Sequence, residues 1–351
     1  MSVIFTIFYF VIVLTVIVFV HEFGHFYVAK KCGVKIIEFS IGMGKKLISK
    51  KDKDGVEWKF CLFPVGGYVK MYGDDNATSF GGYSKNPSQD ELKYSMIYKH
   101  PLKKTAIAFA GPFMNLLLAF ILFFSVFVFK GAPIVNPVVV NVLQNSYAQE
   151  AGVLAGDRIL SINKNKIKTF NDIRFYLQYS GGKKFQIEVL RNNKHIVLYT
   201  NYNKNDTFGI SGGDIQYTKL SFYSAFKESL FYVKNITLKT FQALWNLIIH
   251  QRGLKNIGGP IAIAKESAKA GNDGFWSFLY FIGLISVSLG AINLLPIPML
   301  DGGHIFINLC EFFSRRRFGN LAYKIFVYIG ISFIVALMGL GFINDIFINR
   351  W

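Results

Sequence analysis

Apolar residues run almost unbroken from Val3 to Val20, and the first charge is Glu22. An amphipathic surface helix would return a polar residue every three or four positions, so this run predicts a helix over about residues 3–29 that crosses hydrocarbon. Crossing roughly 30 Å takes about 20 helical residues. Three more runs meet that length, at about 104–129, 276–295 and 322–343. Between the first two runs, Val56–Leu62 alternates and Phe63-Pro64-Val65-Gly66-Gly67-Tyr68-Val69 places turn formers between extended segments, which predicts a β-hairpin or looped sheet. Such a hairpin is either a soluble cytoplasmic element or a re-entrant one beside the membrane-embedded residues. From Gly131 to about Tyr202 the pattern changes to short strands, at 137–142, 158–163, 185–191 and 195–200. Between Leu220 and His250, Phe222, Phe226, Leu230, Val233 and Ile236 recur at helical spacing, the stripe of a helix that packs on a neighbour or lies at a membrane interface. The pattern predicts a polytopic α-helical membrane protein: four transmembrane helices, a re-entrant β-hairpin or sheet, and one inserted extracytoplasmic α/β domain. Its parts are expected at 1–130 (first two spans and β region), 131–215 (inserted domain), 216–260 (amphipathic helical connector) and 261–351 (last two spans).

Composition agrees with a membrane protein. Of 351 residues 52% are hydrophobic and 36 are Phe, more apolar than an ordinary soluble domain. The net charge of +18 raises nucleic acid as a partner, but the Lys and Arg flank apolar spans and no basic recognition motif is present, so nucleic acid is excluded as the expected ligand. The charge reads instead as topology. Lys30, Lys31, Lys35, Lys45 and Lys46 follow the first span, and Arg315, Arg316 and Arg317 lie between the third and fourth, which puts both segments in the cytoplasm and both termini and the inserted domain outside. The first span lacks the basic start and small-residue cleavage site of a signal peptide, so it is expected to be retained. Cys32, Cys61 and Cys310 form no C-x-x-C pair, which argues against both a disulfide framework and a thiolate metal site.

The first span ends in His21-Glu22-Phe23-Gly24-His25. An ionisable residue at a helix centre in hydrocarbon costs roughly 2.5–3.5 kcal/mol even on the lenient insertion scale, so these residues need a function. Histidines four apart project from one helix face about a turn apart, close enough to share a metal. Glu22 then stands beside the metal, where it could take a proton from water and return it to a leaving amine. His21 precedes Lys30 by a stretch worth roughly 13 Å of helix, which places the site in the cytoplasmic half of the bilayer. A catalytic zinc takes three protein ligands, and the first span offers only two. The candidate for the third is Asp301, in Asn293-Leu294-Leu295-Pro296-Ile297-Pro298-Met299-Leu300-Asp301-Gly302-Gly303-His304. Its prolines break the helix, and irregular backbone at membrane depth must be buried in protein or line a wet cavity. The alternative role for Asp301 is a cap on the helix beginning near Gly302. His304 is a weaker candidate, expected to support the site rather than bind metal.

Two resemblances follow from these residues. Ser146 to Asn163, with Ala151-Gly152-Val153-Leu154-Ala155-Gly156-Asp157 and the Ile159-Leu160-Ser161-Ile162-Asn163 strand, resembles the PDZ signature, which implies a PDZ-like domain able to bind an extended peptide by strand addition. The ordered set of H-E-F-G-H, Phe63 to Val69, Ala110-Gly111-Pro112-Phe113-Met114-Asn115, Gly258-Gly259-Pro260-Ile261, Asn293 to Gly303 and Phe342-Ile343-Asn344-Asp345 resembles the site-2 protease family of intramembrane zinc metalloproteases, closest to the bacterial RseP type. One departure is visible: the RseP type has tandem PDZ domains, and this chain has room for one. The resemblance implies one Zn2+ held by His21, His25 and Asp301, Glu22 as catalytic acid/base, and substrate contacts from Gly66, Gly67, Asn115, Asn293, Pro296 and Pro298. It also implies a multi-pass protein of the bacterial inner membrane acting in regulated intramembrane proteolysis. The implied substrates are single-pass proteins such as anti-sigma factors, or remnant signal peptides, met within the lipid bilayer. Rival readings are a metal transporter, whose pathway would use the same buried groups, and a non-proteolytic scaffold binding peptides through the PDZ-like domain.

Overall fold

The computed structural model describes residues 3–72, 88–170, 172–173, 176–177, 184–202, 208–212, 215–250, 258–316 and 320–348. Arg317, part of the expected basic run, and residues 251–257 of the expected connector lie outside them. The chain folds as two compact units, one of residues 1–126 with 226–351 and one of 127–225.

In the first unit, four helices among the described residues are long and apolar enough to cross a membrane: α1 (Val3–Lys31), α3 (Pro101–Phe129), α7 (Phe275–Asn293) and α9 (Asn320–Ile343), the last continuing as one π-turn over Asn344–Ile348. Their apolar residues are not all used for packing. Val3, Ile4, Phe5, Ile7 and Phe8 of α1 are exposed, as are Ile325, Tyr328 and Ile329 of α9, which is the surface a helix presents to lipid. The inward faces close against one another: Val13 and Ile17 of α1 bury against Ile282 of α7, with Leu122 of α3 and Phe278 and Ile285 around them.

Two strands, β1 (Ile36–Lys51) and β2 (Glu57–Met71), connect the first span to α2 (Gln89–Tyr94). They are bent so that each pairs with the other twice. Residues 38–41 pair with Glu57–Phe60 on one side and with Gly67–Lys70 on the other, and Lys46–Lys51 pair with Cys61–Glu57. The result is a curled sheet of four rows whose outer rows are Gly67–Met71 and Lys46–Lys51. Phe39 anchors it, fully buried between Phe26 of α1 and Trp58. The sequence pattern predicts only the β2 half; in β1 the sequence Ser40-Ile41-Gly42-Met43-Gly44-Lys45-Lys46 interrupts the apolar alternation, and the strand is held by pairing rather than by its own pattern.

Helix α5 (Phe222–His250) falls in the expected connector. Helix α6 (Pro260–Asn272) is a separate element that the pattern does not predict. Its start is completed from far along the chain: Gly259 N–H donates to Asp345 Oδ1 at 2.8 Å, and Ile261 and Ala262 N–H donate to Oδ2 at 3.0 and 3.1 Å. A carboxylate at a helix N-terminus satisfies orphan donors that the helix's own residues cannot reach, and no local signal announces it.

The second unit carries a four-stranded antiparallel sheet in the order β6-β5-β7-β8, from Asn165–Lys166, Arg158–Ile162, Lys184–Arg191 and Lys194–Asn201. Short pairs flank it: β3 (Ala132–Val135) with β10 (Ile215–Thr218), and β4 (Val139–Val142) with β9 (Ile210–Gly212). Ile159, Ile162, Ile187 and Val189 form its core with Ala148 of the short helix α4 (Tyr147–Glu150). Ser146 caps that helix, accepting from Gln149 N–H. Buried Asp157 accepts from Arg191 Nε at 2.7 Å, and the same guanidinium donates to Gly152 carbonyl oxygen, which ties the turn before β5 to the end of β7.

Candidate metal centre

The helical rise sets His21 and His25 one turn apart, ring centroids 4.8 Å from each other. Both rings face α3, which can approach closely because each helix has a glycine at the crossing, Gly24 on α1 and Gly111 on α3. A Cβ on Gly24 would lie 2.5 Å from Ala110 carbonyl oxygen, and one on Gly111 would enter the space of both imidazoles. Small residues at such a crossing let backbones meet; nothing in the sequence alone marks Gly24 and Gly111 for this task, although each sits inside one of the family's motifs. With α3 this close, His25 Nδ1–H donates to Ile107 carbonyl oxygen at 2.8 Å. A carbonyl can only accept, so in the neutral ring Nε2 keeps its lone pair for the site.

Beyond α7 the chain breaks at Leu294–Leu300, with Met299 in the left-handed region, and restarts as α8 (Asp301–Ser314). Asp301 is the first residue of that helix; the cap position is Leu300, which makes no side-chain cap bond. The carboxylate instead reaches the histidines. Oδ2 stands 3.1 Å from His21 Nε2, Oδ1 stands 3.3 Å from His25 Nε2, and the two Nε2 atoms are 3.2 Å apart.

These separations test whether the donor set suits a metal. Ligands at about 2.0–2.1 Å from a tetrahedral zinc lie roughly 3.3–3.4 Å from one another, and one ligand atom from each of His21, His25 and Asp301 lies within 4.8 Å of the others. The donors are two imidazole nitrogens and a carboxylate, chemistry that suits zinc. The set fits the ion.

A cavity of about 280 Å³ opens on this cluster, lined by Glu22, the two histidines, Asp301, His304, Asn293 and the row Gly67 to Met71. Glu22 and Gly67 touch across it: a Cβ on Gly67 would stand 3.0 Å from Glu22 Cγ, 2.9 Å from Val18 Cγ1 and 2.8 Å from Ser40 carbonyl oxygen. Of the residues expected to contact substrate, Gly67 and Asn293 line the cavity. Gly66, Pro296 and Pro298 do not; Gly66 turns the chain into the edge row with φ 84°, and the prolines belong to the break that carries Asp301. Asn115, too, is not among the residues lining the cavity. It is fully buried behind His21, its amide nitrogen 3.2 Å from Nδ1, and its Oδ1 is buried without a partner. A half-turn of the amide presents Oδ1 to Nδ1–H, the outer bond by which a metal-bound imidazole is usually oriented.

Residues 9–337 match peptidase family M50. Over 96% of its length the chain is 34% identical to a protein of Rickettsia conorii, covering 97% of it, and 33% identical to one of Agrobacterium fabrum, covering 94% of it. It is 35% identical to a Campylobacter jejuni protein over 96% of this chain and 92% of that one. All three bear the name "putative zinc metalloprotease".

Proposed function

The chain belongs to peptidase family M50 and is a zinc metalloprotease, and from that premise we propose that it hydrolyses peptide bonds within or beside the transmembrane segments of single-pass membrane proteins or remnant signal peptides. The observation that carries this reading is the meeting of two histidines from a membrane-length helix with an aspartate from a broken one, at 3.1–3.3 Å, beside a glutamate in the same cavity.

In this reading His21, His25 and Asp301 hold zinc. Bound there, the ion supplies Lewis acidity, which makes water nucleophilic near neutral pH and polarises the scissile carbonyl. Glu22 takes the proton from the attacking water and delivers it to the departing amide nitrogen as the C–N bond breaks. A helical substrate must first unwind, since its carbonyls are hidden by its own hydrogen bonds, and each backbone group left unsatisfied in lipid costs several kcal/mol. Gly67–Met71 is an outer row of the curled sheet, paired on one side with β1, and it can take an extended substrate as a further strand. The exposed apolar residues of the sheet, Met43, Leu47, Ile48, Leu62 and Phe63, favour a re-entrant position over a soluble one. The second unit is read as a single extracytoplasmic PDZ-like domain that receives or screens the substrate's outer segment, with both termini outside and the metal site in the cytoplasmic half of the bacterial inner membrane. Proteins already trimmed by another protease, such as anti-sigma factors, suit a site that needs an unwindable helix.

The test is mass spectrometry of single-pass peptides incubated with the purified full chain. Cuts inside the apolar segment, stopped by a chelator and restored by zinc, are expected; cleavage confined to soluble peptides would overturn the reading. Two substitutions probe the parts. Gly67→Ala forces Glu22 or the Ser40 backbone to shift, and a displacement of about 1 Å at a catalytic group costs roughly 100-fold in kcat/KM, with zinc content retained. Asn115→Leu leaves His21 without its outer hydrogen bond, and zinc affinity is expected to fall roughly 10- to 100-fold in competition with a chromophoric chelator.

A further inference from the structure

A second cavity, of about 310 Å³, lies at the first turn of α3 and the last turn of α8, and shares no lining residue with the metal cavity. Its lining is strongly cationic: Lys99, Lys104, Arg315 and Arg316 accompany one carboxylate, Glu311, a formal balance of +3, and His100 packs edge-on against Phe312. Lys104 and Glu311 neutralise each other at 2.8 Å, both nearly buried. Lys99 spends one N–H donor on Lys93 carbonyl oxygen at 2.5 Å, so the cavity offers its remaining charge and the two arginines.

Burial, and then the Lys103 charge, push the Lys99 ammonium below the usual lysine range. Arg315 ends α8 with φ 54°, in the left-handed region where glycine is the usual residue. Among the described residues neither arginine side chain takes part in an ion pair. Like charges gathered in one cavity are stabilised by an anion, and here the apolar surroundings say which kind. The cavity opens where an apolar span begins, and α8 adds a half-exposed Phe312 on its wall and a strongly exposed Phe313 beside it. Cations at a helix end with aromatic residues at the rim form the arrangement of the membrane–water interface, where phospholipid phosphates lie.

We propose that this cavity binds the phosphate of an anionic phospholipid. Lys104 and Glu311 join α3 to α8, so a lipid held beside them braces the start of one helix against the end of the other. A segment of an acidic peptide is the rival occupant; a half-open cavity of about 310 Å³ between two helix ends suits one phosphate better than a chain.

The experiment uses the full chain in neutral detergent, titrated with phosphatidylglycerol, phosphatidylcholine, inorganic phosphate or an acidic peptide, with retained lipid counted by native mass spectrometry. Saturable, salt-sensitive retention of phosphatidylglycerol, with none of phosphatidylcholine, is expected. In the double variant Arg315→Ala/Arg316→Ala its affinity should fall roughly 30-fold, while Arg315→Lys/Arg316→Lys retains most of it. These exposed positions leave the fold intact, which circular dichroism and zinc content verify. Equal retention of both lipids, or unchanged phosphatidylglycerol affinity in the alanine variant, overturns the proposal. Inorganic phosphate or the acidic peptide binding more tightly than the lipid also overturns it, by assigning the cavity to that ligand.

Discussion

Glu22→Gln is expected to stop turnover while leaving a folded protein that binds zinc. Glutamine keeps the size of the side chain and its fit against Gly67 but cannot accept a proton from water or pass one to a leaving nitrogen. General acid–base catalysis contributes about 10²- to 10⁴-fold, so kcat for a transmembrane peptide should fall by that factor with KM little changed. The variant also removes an ionisable group from a membrane-length helix, so thermal stability should hold or rise. Zinc content by atomic emission and peptide cleavage by mass spectrometry read the two effects separately. A variant that cleaves at the wild-type rate with normal zinc would remove Glu22 from the mechanism and leave the metal site standing.

Asp301→Ala is expected to lose the metal itself. It takes away the carboxylate that reaches both histidines, at 3.1 and 3.3 Å, and two neutral imidazoles hold zinc far more weakly than three ligands. Metal content should drop from about one ion per chain towards none. Lewis-acid stabilisation worth several kcal/mol goes with it, a fall of roughly a thousandfold or more in kcat/KM. The alternative role predicts something else. An aspartate serving only the start of α8 contributes about 0.3–1 kcal/mol through the helix dipole, so its loss would lower the melting temperature slightly and leave zinc bound. Melting curves with and without added zinc separate the two, because a ligand stabilises only the fold that binds it; the zinc-dependent shift should vanish in Asp301→Ala.

Much of the architecture can be read along the chain because it is written locally. Each span is a long, predominantly apolar run, and such a run has few alternatives in a bilayer. The strands at 158–162, 184–191 and 194–201 are likewise visible as short patterned segments between turn residues. Pairings between distant segments are not. β1 is interrupted by glycines and lysines and exists because β2 pairs with it twice; β9 and β10 are short strands whose partners lie far back in the chain; and α6 begins where Asp345 supplies its cap.

The same division runs through the site. By itself the sequence determined that two histidines share a helix face, that a glutamate stands among them inside a span, and that prolines break the chain before Asp301, since all of these follow from residue spacing and backbone chemistry. Only the tertiary structure decided that Asp301 faces the histidines rather than capping its helix, that Ile107 and Asn115 orient the two rings, and that Gly24 and Gly111 let α1 and α3 come close enough for this. A hydrogen bond or a ligand distance between segments far apart in the chain depends on how helices pack, and packing is set by every side chain at the crossing at once, including the ones that glycine leaves out.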